Sequence, residues 1–146
     1  MALYTKGGQP ELLWYPAGGS RNPTSKATID ARQHSIRMAG REVYRVAVEA
    51  MVSMVRDAID KYGKDEIGLV IPHQMNRRIL ESVIDRLKLD PSRVFINIEK
   101  YGNTSAASVP VALVEAVSGG RAVPGKLVVL CAVGAGFAWG SIVLRW

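Results

Sequence analysis

Tyr101-Gly102-Asn103-Thr104-Ser105-Ala106-Ala107-Ser108 joins two segments of different periodicity. Before it, residues 94–98 read as a short buried strand of β-branched and aromatic side chains. After it, residues 106–117 read as a helix with Ser105 available as its cap. Gly102 lets the backbone turn sharply, and Asn103 tolerates unusual dihedrals better than most residues. An Asn at such a strand-to-helix turn has two readings. Its amide bonds its own backbone in a local turn, or it points into a site. The stretch alone leaves both open.

Working outward, the clearest helix spans residues 38–62. Val43, Val46, Ala47, Ala50, Met51, Met54, Val55 and Ala58 recur at helical spacing and form one apolar stripe, with Arg41, Arg45, Glu49 and Arg56 off it. Gly63 is placed to end it. Residues 67–71 read as a buried strand stopped by Pro72. A helix over 76–88 follows, with Ile79, Leu80, Val83, Ile84 and Leu87 inward. Residues 126–132 and 137–146 read as two strands meeting at Gly134-Ala135-Gly136. At the N-terminal end, residues 2–15 suggest two short strands around Gly7-Gly8-Gln9-Pro10, and 16–37 a polar loop that covers something. The order is close to βαβαβαββ. It predicts a single α/β unit with a mixed, largely parallel sheet and helices packed on it.

The chain has 146 residues, enough for one domain with its own core. One cysteine excludes an internal disulfide framework and suits a reducing compartment. The longest apolar run, 127–139, is too short to span a bilayer, and no export leader is evident, so a cytoplasmic protein without a membrane role is expected. The net charge of +6 raises nucleic acid as a partner. The basic residues are scattered, however, and no aromatic-rich or zinc-finger pattern accompanies them, so nucleic-acid binding is not expected. An acidic protein or a phosphorylated small molecule fits the charge equally.

Three features fall at the C-terminal ends of predicted strands, where ligands of open α/β sheets bind. They are His73, Asn103 and the glycine turn after 126–132. A neutral imidazole and a primary amide can each donate one hydrogen bond to the same oxygen, which suits an enolate or a tetrahedral oxyanion. A backbone N–H of the glycine turn can serve a second oxyanion. A nucleophile is missing from this set: Cys131 lies inside a predicted strand and reads as a small buried hydrophobe. His34, His73 and Cys131 have no metal-ligand spacing, and no dinucleotide or phosphate-loop motif is present.

His73-Gln74-Met75-Asn76, the Tyr101–Ser108 stretch and Gly134-Ala135-Gly136-Phe137-Ala138-Trp139-Gly140 occur in order, with Met38-Ala39-Gly40 before the long helix. Together they resemble the C-terminal half of β-ketoacyl-acyl-carrier-protein synthase III, in the thiolase superfamily. The resemblance runs over essentially the whole chain. It implies that His73 and Asn103 are two of three catalytic residues, promoting decarboxylation of a malonyl-carrier protein and holding the thioester enolate. It implies an oxyanion-hole N–H at Ala135, substrate-binding positions at Gly40, Asn76 and Phe137, and carrier-protein contacts at Arg45, Arg78 and Arg86. It also implies acyl-CoA and malonyl thioesters as substrates, acyl carrier protein as partner, and no cofactor or metal. The family's nucleophilic cysteine belongs to an N-terminal half, and its Ala-Ala-Cys setting does not occur here. The chain alone is therefore expected not to form the acyl-enzyme, and to self-associate or pair with such a half. Arg41 and Ala138 depart from the family pattern and leave the acyl preference open. Two alternatives stay open: a non-catalytic carrier-protein-binding relic, and a polyketide- or quinolone-type synthase piece using coenzyme A thioesters.

Overall fold

The apolar stripe of the long helix and the alternation of two adjacent strands set the layering. The computed structural model describes residues 1–146. In chain order its elements are β1 (Ala2–Thr5), β2 (Leu13–Trp14), α1 (Lys26–Asp30), β3 (Arg37–Met38), α2 (Gly40–Tyr62), β4 (Ile67–Pro72), α3 (Arg77–Leu87), α4 (Ile98–Tyr101), α5 (Ser108–Ser118), β5 (Leu127–Gly134) and β6 (Ala138–Arg145). Strands β4, β5, β6 and β1 form one sheet in the order β1-β6-β5-β4, and β2 and β3 form a separate small ribbon.

Successive side chains on a strand point to opposite faces. On β4 and β5, Val70, Val129, Cys131 and Val133 therefore face one way, into a core built with Met51, Met54 and Val55 of α2 and Ile79, Leu80 and Val83 of α3. Leu69, Ile71 and Val128 face the other way, against Ala112 and Ala116 of α5. The sheet thus lies between α2 and α3 on one side and α5 on the other. Gly63 ends α2 at φ +85°, reversing the chain toward β4. Asn76 caps α3, its Oδ1 accepting the Arg78 N–H at 2.9 Å.

The α/β architecture and the mixed sheet agree with the sequence, and several details are corrected. Parallel pairing is confined to β4/β5 and a bridge between Val70 and Val94; β5/β6 and β1/β6 are antiparallel. The turn after Gly134 is too short for a crossover, so β6 returns antiparallel to β5. The two short strands expected over 2–15 are present, but they do not pair with each other: β1 pairs with β6 and β2 with β3. The polar loop 16–37 contains α1, started by a capping box between Ser25 and Thr28. The expected strand 94–98 reduces to the Val94 bridge, and Ile98 already begins α4. Ser105 does not cap α5: it sits in a short 3₁₀ turn, and the helix proper starts at Ser108. No helix is long and apolar enough to cross a membrane.

Candidate active site

Strand β4 delivers His73 to the sheet's C-terminal edge. Its backbone N–H donates to the Cys131 carbonyl of β5 at 2.7 Å, prolonging the parallel ladder by one bond. Its Nδ1 lies 2.5 Å from the Ser108 hydroxyl at the start of α5. The ring is half-buried, and that burial pushes its pKa below 6.5, so the imidazole is neutral near pH 7.

Gln74 explains why the next segment abandons the sheet. It is 1% exposed, and its Nε2 donates to the carbonyls of Pro72 and Phe95 at 2.9 and 3.1 Å. Its Oε1 accepts the Asn97 N–H at 3.0 Å. One side-chain amide therefore satisfies backbone groups that a ladder would otherwise serve. Residues 95–97 are clipped to the His73 turn as a result.

Asn103 is positioned from the other end. Glu115 of α5 accepts hydrogen bonds from Asn97 Nδ2 at 2.8 Å, Tyr101 Oη at 2.7 Å and Lys100 Nζ at 3.1 Å. Those three donors, Asn97 first, hold its carboxyl down to about 2. They pin α4 to α5. Gly102 then turns the chain at φ +66°, and Asn103 Oδ1 accepts the Ser105 N–H at 2.9 Å. Only the carbonyl oxygen can accept from an N–H, so the Nδ2 end of the amide faces away. It bonds no group of the chain, and the residue is exposed. The local turn reading holds: the bond fixes the oxygen and leaves the NH₂ without a partner in the chain.

The third feature is the turn from Gly134 to Ala138. Ala135 is exposed and its N–H is not engaged by the backbone around it. β4 and β5 are parallel neighbours with Pro72 opposite Cys131, so His73 and this turn emerge at the same edge. The Ser108 bond brings the Asn103 loop there too. Phe137 is placed differently: its side chain is buried in the α2-side core. Gly40 opens α2 with free space around it, and Asn76 spends its oxygen on the α3 cap. Arg45, Arg78 and Arg86 lie exposed on α2 and α3, which are tied together where Tyr44 Oη meets Ser82 Oγ at 2.5 Å. None of these three guanidiniums is in an ion pair, whereas Arg77 pairs with Glu81 and Glu99.

Cys131 is 2% exposed, and burial pushes its thiol up to about 12. It remains a protonated core side chain, not a nucleophile. Sequence reasoning missed Gln74, Ser108 and Glu115, although the first two stand inside the quoted motifs. Glu115 lies outside them, on α5, and its role depends on the three donors that converge on it.

Residues 58–146 match the family described as 3-oxoacyl-[acyl-carrier-protein (ACP)] synthase III C terminal. The chain is 44% identical over 138 residues to a β-ketoacyl-[acyl-carrier-protein] synthase III of Solibacter usitatus, covering 93% of this chain and 42% of that protein. The corresponding synthase of Symbiobacterium thermophilum is 46% identical over 136 residues, covering 92% and 41%. The crystal structure of 3-oxoacyl-(acyl carrier protein) synthase III from Pseudomonas aeruginosa superposes with a TM-score of 0.83 at 39% identity, over 99% of this chain and 43% of that one. The chain therefore spans less than half the length of the relatives it matches. With this match over nearly every residue and a thiolase-like sheet, the chain is a member of the β-ketoacyl-[acyl-carrier-protein] synthase III family and corresponds to its C-terminal part.

Proposed function

We propose that this chain supplies the enolate-stabilising half of a 3-oxoacyl-[acyl-carrier-protein] synthase site, for decarboxylative Claisen condensation in fatty acid biosynthesis in the cytoplasm. The observation that carries the reading is a pair of fixed donors at one sheet edge, the neutral His73 ring and the free Nδ2 of Asn103. When a malonyl thioester loses CO₂, the C–C bond breaks and its electron pair moves onto the thioester oxygen. Two donors aimed at that oxygen stabilise the enolate with little reorganisation. The enolate carbon then attacks an acyl-cysteine carbonyl; the new C–C bond forms, the C–S bond breaks and thiolate leaves. The Ala135 N–H is suited to the oxyanion of that tetrahedral step.

The acyl-cysteine has to come from elsewhere, because the Cys131 thiol is buried and stays protonated. Helix α5 is consistent with a missing partner. It buries Ala112 and Ala116 but turns Val114, 65% exposed, and Val117, 38% exposed, to the outside. A complementary cysteine-bearing half covers that face, or a second copy does so in its absence. The unpaired guanidiniums of Arg45, Arg78 and Arg86 suit an acidic carrier protein that brings the malonyl group.

Mixing the chain with a cysteine-bearing N-terminal half tests the reading. Complex formation with 3-oxoacyl product from acyl-CoA and malonyl-carrier protein is the expected result. A stable complex that releases neither CO₂ nor product sinks it and leaves a carrier-binding relic. Malonyl-CoA outperforming malonyl-carrier protein as extender would instead favour a polyketide-type substrate.

A further inference from the structure

We infer that Ser108 is a positioning residue that locks His73 in the tautomer whose Nε2 carries the hydrogen. The inference rests on the donor role given to His73 and identifies the ring nitrogen that performs it.

A serine hydroxyl has one proton to donate and two lone pairs to accept with. The Ser108 side chain is buried, at 2% exposed. Its Oγ accepts the backbone N–H of Gln74 at 3.2 Å, so one lone pair is taken. The other contact is His73 Nδ1, at 2.5 Å. If Nδ1 carried the hydrogen, it too would donate to Oγ, and the hydroxyl proton would be left without an acceptor. The Oγ makes no hydrogen bond to any carbonyl: its partners are the Gln74 N–H and His73 Nδ1 alone. Satisfying the buried hydroxyl requires it to donate to Nδ1, which places the ring hydrogen on Nε2.

The hydroxyl is itself held in place. Gln74 cannot rotate its backbone away, because its buried side chain is bonded to Pro72, Phe95 and Asn97. Donors therefore run in one direction, from Asn97 N–H to Gln74 Oε1, and from Gln74 N–H through the Ser108 hydroxyl to His73 Nδ1. In this arrangement Nε2–H is a dedicated hydrogen-bond donor, and His73 does not offer a basic nitrogen to the substrate.

The chain holds two histidines, His34 and His73, so ¹⁵N-histidine labelling gives two resolvable rings. Long-range ¹H–¹⁵N correlation spectra above the titration of His73 report its tautomer. The expected spectrum is the Nε2–H pattern alone in the unaltered chain. Ser108→Ala converts it to a mixture of both tautomers, and Ser108→Thr restores the single pattern. His34, whose Nε2 meets Thr28 Oγ1 at 2.9 Å, serves as the folding control and stays unchanged. Ser108→Cys, which keeps the volume and weakens the donor, replaces the alanine variant if His34 shows that the latter does not fold. An Nδ1–H pattern in the unaltered chain overturns the inference, as does an unaltered pattern in a folded Ser108→Ala or Ser108→Cys chain. Because the spectrum is read without turnover, failure here is distinguishable from failure of the proposed condensation.

Discussion

Toward α2 and α3 the sheet is sealed by a cluster of 17 buried residues, whereas toward α5 only 6 buried residues meet. The register extends the second face across the sheet. Leu144 and Ile142 of β6 stand opposite Val128 and Leu130, and Leu3 of β1 stands opposite Gly140. Directly opposed residues share a face, so these side chains lie on the α5 side, yet Leu3 is 74% and Ile142 39% exposed. Val114 and Val117 of α5 are exposed as well, so apolar side chains stand uncovered on both the sheet and the helix of this side. One face of the sheet is a closed core; the other leaves apolar side chains exposed, and the candidate site lies at the edge where Ser108 of that second layer meets His73.

The contrast breaks first on stability. Met51 is fully buried on the sealed side, and Met51→Ala is expected to cost about 3 kcal/mol in urea denaturation. Val114→Asp on the open side should change the stability of the unassociated chain by less than about 0.5 kcal/mol, while abolishing association in sedimentation. Equal losses at the two positions would show that α5 is as much a sealed surface as α2.

A smaller effect concerns the tie between α4 and α5. Its hydrogen bonds hold the Glu115 carboxyl below its ordinary 4.5, at about 2. That contribution is fully present above pH 4.5 and is lost as pH falls toward 2. Amide exchange across residues 98–103 should accelerate over that window, and Glu115→Gln should reproduce the acid behaviour at neutral pH. Unchanged protection in the variant would remove Glu115 from the positioning of Asn103. The smallest effect belongs to His73. Burial lowers its pKa, so the unfolded chain binds the proton more readily. Its contribution is complete above pH 6.5 and declines as pH drops below that value; His73→Gln should flatten this part of the stability–pH curve.

The elements of the sealed face were the most legible in the sequence, because the α2 stripe and the alternation on β4 and β5 are local patterns. Residues 94–98 were misread for an equally physical reason. Val94, Phe95 and Ile96 carry strand-like side chains, but after the Phe95 N–H, which bonds the Val70 carbonyl, Gln74 serves the Phe95 carbonyl and the Asn97 N–H. A long-range side-chain partner leaves no trace in local propensity. Asn103 and His73 were visible as residues of interest by type and position. What orients them was not, since Ser108 reaches His73 across 35 positions and Glu115 reaches Asn97 across 18. The exposed side of α5 was legible only as an apolar helix, because sequence alone does not tell a buried apolar face from an exposed one.

The pairing of His73 with Asn103 as enolate donors is tested most directly by separating the two half-reactions in the assembled synthase. Asn103→Ala should leave acyl transfer from acyl-CoA to the partner half's cysteine intact. It should slow CO₂ release from malonyl-carrier protein by roughly a hundredfold, the equivalent of about 3 kcal/mol for one lost donor. Equal loss of both steps, or decarboxylation at the unaltered rate, would contradict the role assigned to that amide.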